Sequence, residues 1–181
     1  MKKASKFLAV ALTVAALFFT SNVNAQTTPT NAWRFGIGVE GGIPTGNLND
    51  FSKFDLGGTA RLQYGISNNF ALTLTSGYYD FFARSSSATI DGITYTAKPS
   101  NLGLVPVKVG IKAFFAGGLY FGAEAGAGFE TDYAKNTKLI LSPGLGYASK
   151  SWDVGVRYEN FSGQSDSYGT VALLLAYGFG L

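Results

Sequence analysis

The sequence has no cysteine and no histidine, and only one methionine and five prolines among its 181 residues. The lack of cysteine rules out disulfides, thiolate metal ligands and a lipid anchor built on sulfur. The lack of histidine removes the usual general base of hydrolases and the commonest zinc ligand. Charge is scarce as well, since Asp, Glu, Lys and Arg make up 14% of the chain. After the first 25 residues no run approaches the roughly 18 consecutive apolar residues of a spanning helix. If this chain crosses a bilayer, it must do so as a closed barrel, whose backbone groups are satisfied between strands.

The first 25 residues stand apart. Lys2, Lys3 and Lys6 precede an apolar run from Phe7 to Phe19, and Val23-Asn24-Ala25 offers a small-residue cleavage site. This is the pattern of a secretory signal peptide cut before Gln26. The apolar run is too short for a transmembrane helix, which needs about 20 residues. The segment carries three of the 14 basic residues and none of the 11 acidic ones, so residues 26–181 hold 11 of each sign. Their neutrality gives no footprint for nucleic acid. A length of 156 residues (181 minus 25) suits one domain.

Eight stretches of that domain alternate in character, as strands do with their period of two. They run from Trp33 to Ile43, Gly57 to Ile66, Phe70 to Tyr79, Leu104 to Phe115, Leu119 to Glu130, Leu139 to Ala148, Trp152 to Asn160 and Val171 to Leu181. In the last, Val171, Leu173, Leu175, Tyr177 and Phe179 share one face, while Ala172, Leu174, Ala176, Gly178 and Gly180 share the other. In the first, Trp33, Phe35, Ile37 and Val39 oppose Arg34, Gly36, Gly38 and Glu40. One face is bulky and apolar throughout; the other is small, polar or charged. A soluble barrel would keep the bulky face inside, whereas a spanning barrel turns it to lipid. The expected fold is therefore an all-β, eight-stranded, antiparallel up-and-down transmembrane barrel. Pro106 and Pro143 fall inside strands and each removes a ladder donor, so a bulge or edge-like distortion is expected at each.

Connections alternate in length. Ser67 to Asn69, Ala116 to Gly118 and Ser149 to Ser151 read as tight turns. Pro44 to Leu56, Asp80 to Asn101, Thr131 to Lys138 and Phe161 to Tyr168 read as longer loops. Short turns belong on the periplasmic side of bacterial barrels and long loops outside. Outward aromatics agree: Trp33, Tyr64, Phe70, Phe115, Phe121, Tyr147, Trp152 and Phe179 gather at the short-turn end, as an interfacial girdle would. A thinner set, Tyr78, Phe129 and Tyr158, falls at the other end.

Two features invite a chemical reading. Gly36-Ile37-Gly38-Val39-Glu40-Gly41 matches dinucleotide-binding spacing, but Gly42-Ile43-Pro44 cannot start the helix that such chemistry needs. These glycines read instead as inward positions that leave room for long side chains. The second feature is the set of inward charges, Arg34, Glu40, Arg61, Lys108, Lys112, Glu124, Asp153, Arg157 and Glu159. An eight-stranded interior is just wide enough for side chains to fill. Mixed signs there favour a salt-bridge network that plugs the lumen; a narrow solute passage and a histidine-free catalytic site are the alternatives. Asp91, Asp132 and Asp166 show no metal-loop spacing, and no cofactor or metal is expected.

Several segments resemble the small porin-like outer-membrane barrel family of Gram-negative bacteria, which includes the OmpA-like and OmpX-like eight-stranded barrels. The carriers are Gly38-Val39-Glu40-Gly41-Gly42-Ile43-Pro44-Thr45-Gly46, Ser142-Pro143-Gly144-Leu145-Gly146-Tyr147 and the closing Tyr177-Gly178-Phe179-Gly180-Leu181. The closing segment looks like the signal read by the barrel-assembly machinery, although it ends in leucine rather than phenylalanine. The resemblance implies outer-membrane localisation, lipid and lipopolysaccharide neighbours, and a structural or cell-surface role in which the long loops meet any surface ligand. It supplies no catalytic residue, because the lipid A-modifying barrels rely on histidine.

Overall fold

The computed structural model describes residues 28–90, 93–97, 99–132, 135–163 and 166–181; the expected signal peptide and the start at Gln26 lie outside them, as does Asp91. Eight strands close a barrel: β1 (Trp33–Thr45), β2 (Ser52–Gly65), β3 (Phe70–Ala83), β6 (Leu102–Ala116), β7 (Leu119–Glu130), β8 (Thr137–Ala148), β9 (Trp152–Gly163) and β10 (Asp166–Gly180). Each pairs antiparallel with its neighbours, and β10 returns to β1. A separate hairpin, β4 (Ser86–Ile90) and β5 (Ile93–Ala97), rises between β3 and β6. One helical turn, α1 (Leu48–Phe51), links β1 to β2.

The pairing can be followed once around the barrel, from Phe35 through Leu62, Leu74, Val109, Ala125, Leu141, Asn160 and Gly169 to Thr45. It returns to β1 ten residues along (45 minus 35), a stagger that tilts eight strands by about 40°. Because the register is continuous, residues far apart in sequence are stacked at defined levels inside the lumen.

The expected faces hold on every strand. Ile37, Val39, Leu72, Leu74, Val109, Leu145 and Leu173 lie exposed on the outside, whereas Glu40, Arg61, Thr75, Lys108, Glu124 and Leu174 are buried inside. The short turns also fall where the sequence puts them. Of the four outer connections only Thr131 to Lys138 does, with β7 ending at Glu130 and β8 starting at Thr137. Pro44 to Leu56 is no open loop, because β1 runs to Thr45, α1 follows and β2 starts at Ser52. Asp80 to Asn101 holds the end of β3 and the β4–β5 hairpin, and Phe161 to Tyr168 is almost wholly strand. The last two segments escape an apolar-out pattern because Phe81, Phe161 and Tyr168 point inward.

The two prolines distort the ladder in a specific way. Ser76 pairs with Val107 and Tyr79 with Leu104, so Pro106 stands in a gap that leaves the register unchanged. Pro143 stands in a similar gap, between the pairs Leu141–Asn160 and Gly144–Arg157. Neither is a bulge; the register shifts lie elsewhere, between Ser52 and Phe54 and between Phe114 and Ala116. Opposite Pro106 the Ser76 hydroxyl donates to the Pro106 carbonyl at 2.9 Å, satisfying an acceptor on the outer wall.

Candidate functional site

Among the described residues the lumen is where chemistry-bearing side chains gather, and the strand stagger decides how they meet. Glu124 on β7 is the hub. It accepts from Arg61 at 3.0 Å, from Arg157 at 2.8 Å and from Lys108 at 3.3 Å. Below it Asp153 pairs with Lys112 and, at 3.2 Å, with Arg61. Above it Glu159 pairs with Lys108 and, at 3.6 Å, with Arg157, which also reaches Glu40 at 2.9 Å. Four cations and four anions thus form one continuous network with no net charge, and all eight residues are buried. Removing charges from water costs several kcal/mol each unless partners and hydrogen bonds replace hydration; here every charge has an opposite partner, while the buried Glu159 Oε2 has no hydrogen bond within the protein.

Neutral side chains complete the network. Thr75 donates to Glu124 at 3.0 Å and accepts from the Arg61 Nε at 3.0 Å. Ser142 donates to Glu159 at 2.9 Å, and Tyr120 to Asp153 at 2.7 Å. The Tyr79 hydroxyl accepts from Lys108 at 3.0 Å and donates to Glu40 at 3.4 Å. The Lys112 ammonium also lies 4.2 Å from the centre of the Tyr120 ring, a cation–π contact that a desolvated site strengthens. None of these partners was among the charged positions singled out from sequence. Their signal is faint, since an inward Thr, Ser or Tyr is equally at home as filler.

Inward glycines make the long side chains possible. A Cβ at Gly146 would collide with the Tyr120 ring, one at Gly57 with the Tyr79 ring and one at Gly178 with the Arg34 guanidinium. Arg34 lies at the lower edge of the network, beside the cavity that Arg61 and Asp153 also line. Its place is the short-turn rim, where it donates to the Ser149 carbonyl at 3.1 Å.

Above the charges the interior changes character. Leu48, Tyr79, Phe81, Leu102, Leu104, Ile140, Phe161 and Tyr168 form one apolar cluster across the long-loop end, with Phe51 packed against it. Phe81 meets Phe161 and Tyr168 edge-on at 5.8 and 6.1 Å, and Phe161 stacks on Tyr168 at 5.1 Å. Leu48 comes from α1, so that turn lies over the barrel as a lid. The cavities in the lower lumen are small, about 30 Å³ beside Lys112, Tyr120 and Glu124 and about 20 Å³ beside Gln63 and Asp153. Each is near the volume of a single water molecule.

The outer surface carries the aromatics expected near the short turns. Trp33, Phe70, Phe115, Phe121, Trp152 and Phe179 are exposed, and Tyr64 and Tyr147 half-buried. Trp33 packs on Tyr64 at 4.7 Å and Phe115 on Phe121 at 4.8 Å. Tyr177, not assigned to that girdle from sequence, links Trp152 and Phe179 at 5.1 and 4.9 Å.

No protein-family profile and no curated protein sequence matches this chain. Solved structures do. The crystal structure of Ail, the attachment invasion locus protein of Yersinia pestis, gives a TM-score of 0.56 at 14% identity over 83% of this chain and 99% of that one. The backbone structure of the same outer membrane protein in a phospholipid bilayer nanodisc gives 0.55 at 16% identity, covering 82% and 99%. Ail in complex with the heparin analogue sucrose octasulfate gives 0.50 at 18% identity, covering 83% and 99%. At such identities the likeness is one of fold, and this chain has the fold of the eight-stranded, antiparallel, up-and-down barrels of outer membranes.

Proposed function

We propose that this chain is a non-enzymatic outer-membrane barrel with a structural or cell-surface role, exported by residues 1–25 and sealed through its lumen. The observation that carries this reading is the neutral eight-charge network beneath an apolar cap. A conducting pore needs a continuous polar path. Here Phe81, Phe161, Leu104 and Ile140 are fully buried across the outer end, and the two cavities among the charges below them are of single-water size. Catalysis finds no support either, because Glu40, Glu124, Asp153 and Glu159 are each held by a cation rather than poised as an acid or base.

The exposed apolar wall and its aromatic girdle suit lipid and lipopolysaccharide as neighbours, and the closing Tyr177-Gly178-Phe179-Gly180-Leu181 suits the barrel-assembly machinery during biogenesis. The outer loops, with the β4–β5 hairpin as the longest, are the surface left for a ligand at the cell exterior. The structural neighbour solved with a heparin analogue supports a surface-ligand role in kind. The test is conductance: purified, refolded protein in a planar bilayer is expected to pass no steady current. Reproducible open-channel currents from the unmodified protein overturn the sealed-lumen reading in favour of a narrow channel.

A further inference from the structure

The short-turn end of the lumen is partly covered by a piece of chain that the barrel does not need for its own closure, beside an open pocket of about 690 Å³ among Thr28, Arg34, Lys150 and Gly178. Residues 28–32 precede β1 and turn back beneath the mouth, with Asn31 at a φ of 60°, a left-handed conformation that Asn adopts more readily than most residues. The turn is pinned to the end of β2. The Asn31 N–H donates to the Gly65 carbonyl at 2.8 Å, and the Gly65 N–H to the Ala32 carbonyl at 3.0 Å. Tyr64 donates to the Asn31 side chain at 3.1 Å, and Thr30 to Asn68 at 3.1 Å.

Thr28 goes further, into the barrel. It is 7% exposed, and its hydroxyl accepts a 2.6 Å hydrogen bond from the buried Gln63 amide. Gly65 lets the chain in, because a Cβ there would collide with the Pro29 carbonyl. Immediately above Gln63 lies the 20 Å³ cavity, bounded also by Arg34, Arg61, Ala148 and Asp153. Arg61 bounds the 30 Å³ cavity too, together with Lys112, Tyr120, Glu124, Ser142 and Arg157. Both exceed the roughly 10–15 Å³ that one water requires, and both offer several polar partners. Beyond them the apolar cap ends the series.

We propose that the lower lumen is a one-ended hydration site: two single-water cavities that exchange with the short-turn side only, past a latch formed by Thr28 on Gln63. The geometry gives the two ends different roles. The cap is a permanent stopper, because Leu48, Phe81, Leu104, Ile140 and Phe161 offer water no partner. The latch is held by a few hydrogen bonds to one strand end and one turn, so it opens at far lower cost than the barrel unfolds.

Because the chain has no cysteine, single cysteines report access without background. Ala148→Cys, at a position 1% exposed, reads the cavity behind the latch, and Ile140→Cys reads the cap. A small methanethiosulfonate reagent is added to each refolded full-length mature protein, alone and combined with Thr28→Gly. Ala148→Cys is expected to react slowly with Thr28 present and about tenfold faster with Thr28→Gly, equivalent to about 1.4 kcal/mol of lost closure. Ile140→Cys is expected to stay unreactive in both. Equal rates at Ala148→Cys with and without Thr28→Gly overturn the latch, and faster reaction at Ile140→Cys than at Ala148→Cys overturns the one-ended path. If Thr28→Gly fails to refold, Gln63→Leu breaks the same hydrogen bond from the barrel side and the same comparison decides. Bilayer current is independent of these outcomes: labelling behind an open latch without conductance leaves the sealed lumen standing.

Discussion

Along β9, Val154, Val156 and Tyr158 face outward while Asp153, Arg157 and Glu159 face the lumen; two residues on, Phe161 turns inward and Asn160 and Ser162 outward. Strand β10 shows the same reversal in the opposite direction. Tyr168 is buried inside with Ser167 exposed outside, and further down Leu173 is exposed. Along these two strands the lower barrel is thus apolar outside and charged inside and the upper part is the reverse, while on β2 and β8 Phe54 and Leu139 stay exposed outside at the level of the cap. The strand geometry is the same in both, so the difference lies in the surroundings. Where the wall meets lipid, apolar side chains belong outside and polar ones must find partners within. Where the strands rise into water, the hydrophobic effect again draws apolar residues to the interior, as in any soluble core. The upper barrel therefore folds like the core of a soluble protein, on top of a membrane-type barrel.

The largest effect should come from breaking the lower region at its hub. Glu124→Ala takes a carboxylate from Arg61, Lys108 and Arg157 at once and leaves the buried network with one excess positive charge, and removing one partner of a buried ion pair costs about 3 to 5 kcal/mol. Urea unfolding in lipid vesicles or detergent is expected to show a loss near the upper end of that range. The upper region should answer a different change. Phe161→Ala leaves a cavity among Phe81, Tyr168 and Ile140, and such truncations cost about 3 to 5 kcal/mol. We expect about 3 kcal/mol here, with the salt dependence of stability unchanged. A loss that instead varies with ionic strength would blur the division between the two regions.

The outer face distinguishes the regions more sharply. Leu173→Arg puts a charge in the lipid-facing band, at about 2 to 4 kcal/mol. Ser167→Arg, on the same strand and face but at the level of the cap, should stay within about 0.5 kcal/mol. Assembly yield and unfolding midpoint measure both; equal losses would mean that the polar upper wall is not in water. Between those two lies Ser76→Ala, which removes the hydroxyl on the Pro106 carbonyl at about 1 kcal/mol. A neutral result there would show that the carbonyl in the ladder gap finds another donor.

Sequence reasoning reads the lower region well and the upper region poorly. Rows such as Phe35, Ile37 and Val39 against Gly36, Gly38 and Glu40 announce both strand and face, because a spanning wall imposes one rule along its whole height. The same rule stops every strand but β7 too early at the outer end. Phe81, Phe161 and Tyr168 break the phase of the pattern, and a break in phase looks like a loop. In the site, the charged members were legible because charges on an otherwise apolar-alternating strand are conspicuous. Thr75, Ser142, Tyr79 and Tyr120 were not, since nothing in their own strands says that a carboxylate stands across the lumen. Arg34 shares the parity of the network and still lies at the rim, because a strand's face does not say how high along the axis a side chain sits.

Period-two alternation is a local property of extended chain, so the sequence by itself determined the strands of the membrane wall, which residues face lipid, and that charges of both signs face inward. Tight turns at Ser67, Gly117 and Ser149 likewise declared which end of the barrel is the compact one. Which cation meets which anion was settled only in the closed barrel. Glu124 comes to the level of Arg61, Lys108 and Arg157 through a ten-residue stagger accumulated over eight pairings, and that sum belongs to the whole sheet rather than to any strand. The apolar cap arises the same way, from α1 and segments of several strands that are remote in sequence, whereas the Thr28 latch needs only the pairing of β1 with β2.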